Sequence, residues 1–202
     1  GKNNWMVSGD VNFTGGYYRA TPGNIFIMSG GEADTLTPNN NPFWHLDLDM
    51  PVDTVITLAS GSTLIVYGNL GIEIGSGNLI TTNTTIIMAS SSAWVAGGGQ
   101  IFDNFIASST GNITLQNGGV TVAGTLTVAT STTFTLTGVD LTHTGATLNL
   151  NGTIAGTGTL IYQSATAFPG IGTISAPLRF DATTNAQTMS ARTYGGNVEI
   201  FN

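Results

Sequence analysis

From Gly111 to Gly152 the chain alternates apolar and small polar residues: Ile113-Thr114-Leu115, Val120-Thr121-Val122, Leu126-Thr127-Val128, Phe134-Thr135-Leu136 and Leu148-Asn149-Leu150. Alternation of this kind sends successive side chains to opposite faces of an extended strand, one toward a core and one toward water. Threonine suits such strands because its branched Cβ packs well on a pleated surface. The runs are separated by Asn117-Gly118-Gly119, Gly124, Gly138, Gly145 and Gly152, residue types that tolerate the backbone of tight corners. The pattern predicts an all-β chain of short strands. An antiparallel β-sandwich would need hairpins with charged or proline-protected edges, and the sequence has few of either. A right-handed parallel β-helix (β-solenoid) needs only one small unit repeated along an axis. The monotony of the chain favours the β-helix, with the antiparallel sandwich as the alternative.

The remainder of the chain varies on this pattern. Residues 1–41 are less regular, with strands expected at Val11-Asn12-Phe13 and Asn24-Ile25-Phe26-Ile27-Met28, and they form a distinct N-terminal β segment suited to capping or subunit contact. Pro38-Asn39-Asn40-Asn41-Pro42 is the strongest loop signal, and residues 42–202 form the solenoid body. A longer unit begins near His45 and recurs near Asn104, with Leu58 recurring as Leu115 and Val66 as Val122. The spacing between copies shrinks slightly along the unit, as small changes in loop length would cause. A third start lies at Tyr194-Gly195-Gly196-Asn197. A unit of this length spans two or three coils of a solenoid. Residues 154–187 carry a weaker pattern and more corners, which predicts irregular coils or a side loop.

Composition narrows the function. Of 202 residues 41% are hydrophobic, enough for a sizeable core, but only 7% are charged. The polar surface is therefore Thr, Ser, Asn and backbone, as in secreted structural β-proteins. The net charge is −7, and no Lys or Arg occurs from Ala20 to Leu178, so nucleic acid and anionic lipid are excluded as charge-driven partners. The absence of cysteine removes disulfides and thiolate chemistry. No apolar run is long enough for a membrane span.

The order of an aromatic residue and an Asn or His ahead of an alternating strand, then Asn112-Ile113-Thr114-Leu115, then Val120 to Val128, then Thr147 to Gly152, resembles the repeats of large secreted surface proteins of Bacteroidota-type bacteria. These are related in style to autotransporter and filamentous-haemagglutinin β-helices. The resemblance covers residues 42–152 and the last dozen. It implies an extracellular, non-enzymatic passenger or fibre, and it brings no catalytic residues with it. The chain departs from it in the irregular segment before Pro42 and in lacking a visible C-terminal secretion or sorting domain.

Several groups carry potential chemistry. Asp47 and Asp49 stand two apart on one strand face beside His45 and Asp53, a spacing that suits Ca2+ ligation or paired carboxylates. A solvated strand face is the simpler reading, and neither a catalytic residue nor a cofactor is expected. Glu32 and Asp34 read as a surface loop, and lone His143 as an outward-facing strand residue. The steps Thr125/Thr127, Thr133/Thr135 and Thr142/Thr144 would order water or bind ice only if they repeated at one spacing in every coil. Asn83 and Asn151, at corners, are the best placed of the Asn-x-Thr glycosylation sequons. Exposed aromatics such as Trp44, Trp94 and Tyr162 are candidate contacts for surface glycans.

The leading expectation is a structural subunit or segment of a bacterial surface fibre, filament or stalk, secreted or at the cell surface, assembling head-to-tail with other copies of itself. Val198, Ile200 and Phe201, in the last strand-like segment, are the expected subunit contact. An adhesin module for carbohydrate is the alternative. A polysaccharide-acting enzyme and an ice-binding protein rank lower.

Overall fold

The computed structural model describes residues 4–51, 53–74, 78–91, 93–96, 98–166, 171–182 and 187–201. It contains strands and corners, and no helix among these residues. In chain order the strands are β1 (Trp5–Val7) and β2 (Val11–Asn12), then β3 (Ile25–Ser29), β4 (Asp34–Thr37) and β5 (Pro42–Phe43). Next come β6 (His45–Met50), β7 (Val55–Leu58) and β8 (Thr63–Val66), followed by β9 (Leu70–Ile74), β10 (Asn78–Ile80) and β11 (Thr85–Met88). The chain continues through β12 (Ala93–Ala96), β13 (Ile101–Phe102) and β14 (Asn104–Ala107), then β15 (Asn112–Gln116), β16 (Val120–Val122) and β17 (Thr125–Val128). It ends with β18 (Thr133–Leu136), β19 (Leu141–His143), β20 (Thr147–Leu150), β21 (Thr153–Gly156), β22 (Leu160–Tyr162), β23 (Thr173–Ile174), β24 (Leu178–Phe180) and β25 (Val198–Ile200).

From β3 to β20 each turn lays one strand on each of three faces, and every ladder among the described residues is parallel, which excludes the antiparallel sandwich. The chain is a parallel β-solenoid of about eight turns. Nine strands from β1 to β23 stack on the first face, and six from β5 to β20 on the third. The second face is divided into a sheet of four strands (β2, β4, β7, β10) and a sheet of six (β13, β16, β19, β22, β24, β25). Coil length varies: a short coil brings Thr153 onto Thr133, and a longer one brings Val95 onto Leu70.

The long unit seen in the sequence is not a whole number of coils. His45 lies on the first face and Asn104 on the third; Leu58 lies on the second and Leu115 on the first; Val66 lies on the third and Val122 on the second. Successive copies of the unit thus fall on different faces. All three faces demand the same alternation, so sequence similarity marks a third of a coil as readily as a full one. Within residues 154–187, expected to form irregular coils or a side loop, β21 to β24 continue the first- and second-face ladders with shorter strands, while the third-face ladder ends at β20 among the described residues. Strands β1 to β4 join the same sheets as the body.

Inward residues form one column from Val11 to Phe180. At the N-terminal end Phe13, Tyr18, Phe26 and Phe43 fill it, with Tyr18 stacked on Phe43 at 5.3 Å and edge-on to Phe26 at 5.5 Å. The corners bury polar side chains and satisfy them locally, as burial requires. The Thr54 and Thr84 hydroxyls donate to the carbonyls of Pro51 and Thr81, each at 2.7 Å, and the Asn41 amide donates to that of Pro38 at 3.0 Å. Asp34, expected in a surface loop, is instead a buried strand residue of β4.

His143 also departs from expectation. It points inward, is fully buried, and stacks on Tyr162 at 5.6 Å with the rings 11° from parallel. Its Nε2–H donates to the Thr147 carbonyl at 3.0 Å. The alternation is kept, but His here takes an apolar slot because an aromatic partner and a carbonyl receive it. Burial lowers its pKa below the ordinary 6.5, against the opposing pull of backbone contacts to Gly124 and Thr147. In acid the unfolded chain therefore takes up this proton first. Stability is expected to be fully held above about pH 6.5 and to fall below it at up to about 1.4 kcal/mol per pH unit, until the folded value is reached. Urea melts from pH 8 to 4 check this, because His143→Phe should flatten that part of the profile.

In the middle of the stack the ladders thin at one level among the described residues. The β6 and β9 strands share five registered pairs and β12 and β15 share four, but β9 and β12 share only Leu70 with Val95 among the described residues. At the same level on the second face no ladder joins β10 to β13 among these residues. Side chains span that gap. Gln100 Oε1 accepts the Leu79 N–H at 2.7 Å, and Thr81 Oγ1 donates to the Ile101 carbonyl at 3.1 Å and accepts the Asp103 N–H at 2.8 Å. The third face runs through this level unbroken, with four pairs from β8 to β11 and four from β11 to β14.

Candidate functional site

Both faces that loosen at this level carry clefts. On the second face a cavity of about 510 Å3 opens between β10 and β13, lined by Leu79, Ile80, Gln100, Ile101 and Asp103 among others. Ile80 and Ile101 are exposed at its rim.

On the first face the outward column runs Ile25, His45, Asn69, Trp94, and the neighbouring column runs Ile27, Asp47, Gly71. Asn69 ties the first column together. Its backbone N–H donates to His45 Nδ1 at 2.9 Å, which leaves the ring proton on Nε2, and its Oδ1 accepts the Trp94 N–H at 3.2 Å. The side-chain amide thus does at Trp94 what the thinned ladder does not. Gly71 makes the space: a Cβ there would stand 2.6 Å from Asp47 Oδ1 and 3.5 Å from Trp94 Cη2. The result is a cleft of about 160 Å3 lined by Ile25, His45, Leu46, Asp47, Asn69, Gly71 and Trp94. A second, of about 450 Å3, shares Gly71 and Trp94 and extends toward Asn117 and Gly118.

The sequence candidates separate here. Asp47 and Trp94, drawn from two different readings, share one cleft. Asp49 lies one outward position further along β6, opposite Glu73. Among the described residues no three His, Asp or Glu side chains gather as metal ligands. Trp44 sits at the corner before β6, 6.3 Å from both the Tyr67 and the His45 rings, beside the cleft rather than in it. Tyr162 is corrected outright: it is fully buried, and its hydroxyl donates to the Thr166 carbonyl at 2.6 Å, so it meets no glycan. Asn69 and Gly71 carry no signal in the sequence. Their role follows from coil length, which places Trp94 over Asn69, and nothing local to either residue encodes that.

The Thr steps do not form one array. Thr125/Thr127 project from the third face, Thr133/Thr135 from the first, and Thr142 from the second. The longest column is instead Thr63, Thr85, Asn104, Thr125 and Thr147 on the third face. Asn83 and Asn151 are exposed at corners. At the C-terminal end Val198 and Ile200 are in register with buried Leu178 and Phe180, yet are 37% and 68% exposed. Phe201 packs under the Arg179 guanidinium at 4.9 Å.

The fold and its clefts define a parallel β-solenoid with a largely uncharged polar surface. No family model, no curated protein and no solved structure matches this chain.

Proposed function

We propose that the chain is a non-enzymatic structural segment of a secreted bacterial surface protein, a β-solenoid rod or stalk that joins end to end with further copies. The observation that carries this reading is the single unbroken core column, clothed in Thr, Ser and Asn. A stack in which each coil rests on its neighbours acts as a spacer along one axis. A surface without Lys or Arg from Ala20 to Leu178 gives trypsin-like proteases no cleavage site along the coils. Joining would use the inward-directed Val198 and Ile200 of β25 at one end, and the exposed Trp5 and Met6 of β1 at the other. Such a head-to-tail contact does not close on itself and gives a filament.

Sedimentation velocity across a concentration series tests this. The expected result is growth beyond the 20.8 kDa monomer, abolished in Ile200→Lys while the melting temperature is kept. A wild-type chain that stays at monomer mass throughout would discard the assembly.

A further inference from the structure

We infer that the first face holds a binding cleft for a neutral saccharide, centred on Trp94 and Gly71. Four independent features converge on it. Among the described residues the β9–β12 ladder beside the cleft is reduced to one registered pair. Gly71 removes the side chain that would fill the space between Asp47 and Trp94. Asn69 holds both the Trp94 backbone and the His45 ring by hydrogen bonds, so the walls are fixed before any ligand arrives. Finally, two cavities of about 160 and 450 Å3 adjoin across Trp94, one of a size for a single sugar ring and one open enough for the next.

The chemistry of the lining selects the ligand. A pyranose has a face of C–H bonds and a rim of hydroxyls. The negative face of an indole attracts polarised C–H groups and excludes water from them. The lining also includes Asp47, His45 and, in the larger cavity, Asn117. A few placed polar groups in an otherwise apolar pocket are what fix the orientation of a small ligand. Charge then narrows the class. Asp47 and Asp49 are neighbours, the chain carries a net −7, and no Lys or Arg occurs from Ala20 to Leu178. Uronic and sialic acids are repelled, and phosphates find no partner. Neutral hexose or pentose oligomers remain. This cleft does not depend on how the rods assemble.

Titration calorimetry with soluble gluco-, manno-, galacto- and xylo-oligosaccharides, alongside oligogalacturonate, is the test. At least one neutral oligomer is expected to bind at millimolar or tighter affinity, with oligogalacturonate at least tenfold weaker. Trp94→Ala should weaken binding at least tenfold. Asp47→Asn keeps the shape and should weaken it about tenfold, so the test survives if the tryptophan variant misfolds. Thr142→Ala, on the second face, should leave affinity unchanged. Absence of binding by every neutral oligomer, preference for the uronate, or unchanged affinity in both cleft variants would each overturn the proposal.

Discussion

Phe105→Ala is expected to cost about 3–5 kcal/mol. Phe105 is 1% exposed and stacks on Phe102 at 5.7 Å and on Phe134 at 5.5 Å. Those three rings come from the third, second and first faces, with Phe134 from a later coil, so the stack ties successive coils of the column together. Neighbouring backbone is held by ladders above and below and cannot collapse into the hole, which places the cost at the upper end of the range. Urea denaturation followed by circular dichroism measures it. Because solenoid coils couple mainly to their neighbours, the variant should also broaden or split the transition. A loss under about 1 kcal/mol would mean that this part of the core is loosely filled.

Gly156→Ala is expected to destabilise by about 3 kcal/mol, although it adds a single methyl group. Gly156 has φ of +110°, a conformation that costs residues with a Cβ about 1–3 kcal/mol. The added Cβ would also lie 2.2 Å from the Leu136 carbonyl oxygen. That same oxygen accepts two successive amides, from Thr157 at 2.9 Å and Gly158 at 3.0 Å. Moving it to relieve the clash would break the corner that links β21 to β22. Thermal melts of Gly156→Ala beside Gly15→Ala, which meets nothing within 4 Å, isolate the effect.

The strands and their inward faces are legible in the sequence because alternation is a local property. Ile113, Leu115, Phe134, Leu136, Leu148 and Leu150 all point into the core as their spacing requires. The parallel stack is legible from the monotony of the chain and its lack of hairpin devices. His143 defeats the reading because alternation identifies the slot and chemistry must identify the occupant. A histidine goes inward only when a ring such as Tyr162 and an acceptor such as the Thr147 carbonyl await it, and the ring comes from the next coil. Tyr162 defeats it for the matching reason: its hydroxyl finds a partner inside. The cleft is half legible. Asp47 and Trp94 each stand out in the sequence, but only the long coil that brings Val95 onto Leu70 places them together, and the phase-shifted repeat conceals coil length.

Tension applied along the solenoid axis passes through its ladders in series, and the load on each level is shared among three faces. Between the β9 and β12 coils two of those faces have almost no ladder in common among the described residues, so the third face bears nearly all of it. Tension in the middle of the rod would thus fall there mainly on the β8–β11–β14 sheet.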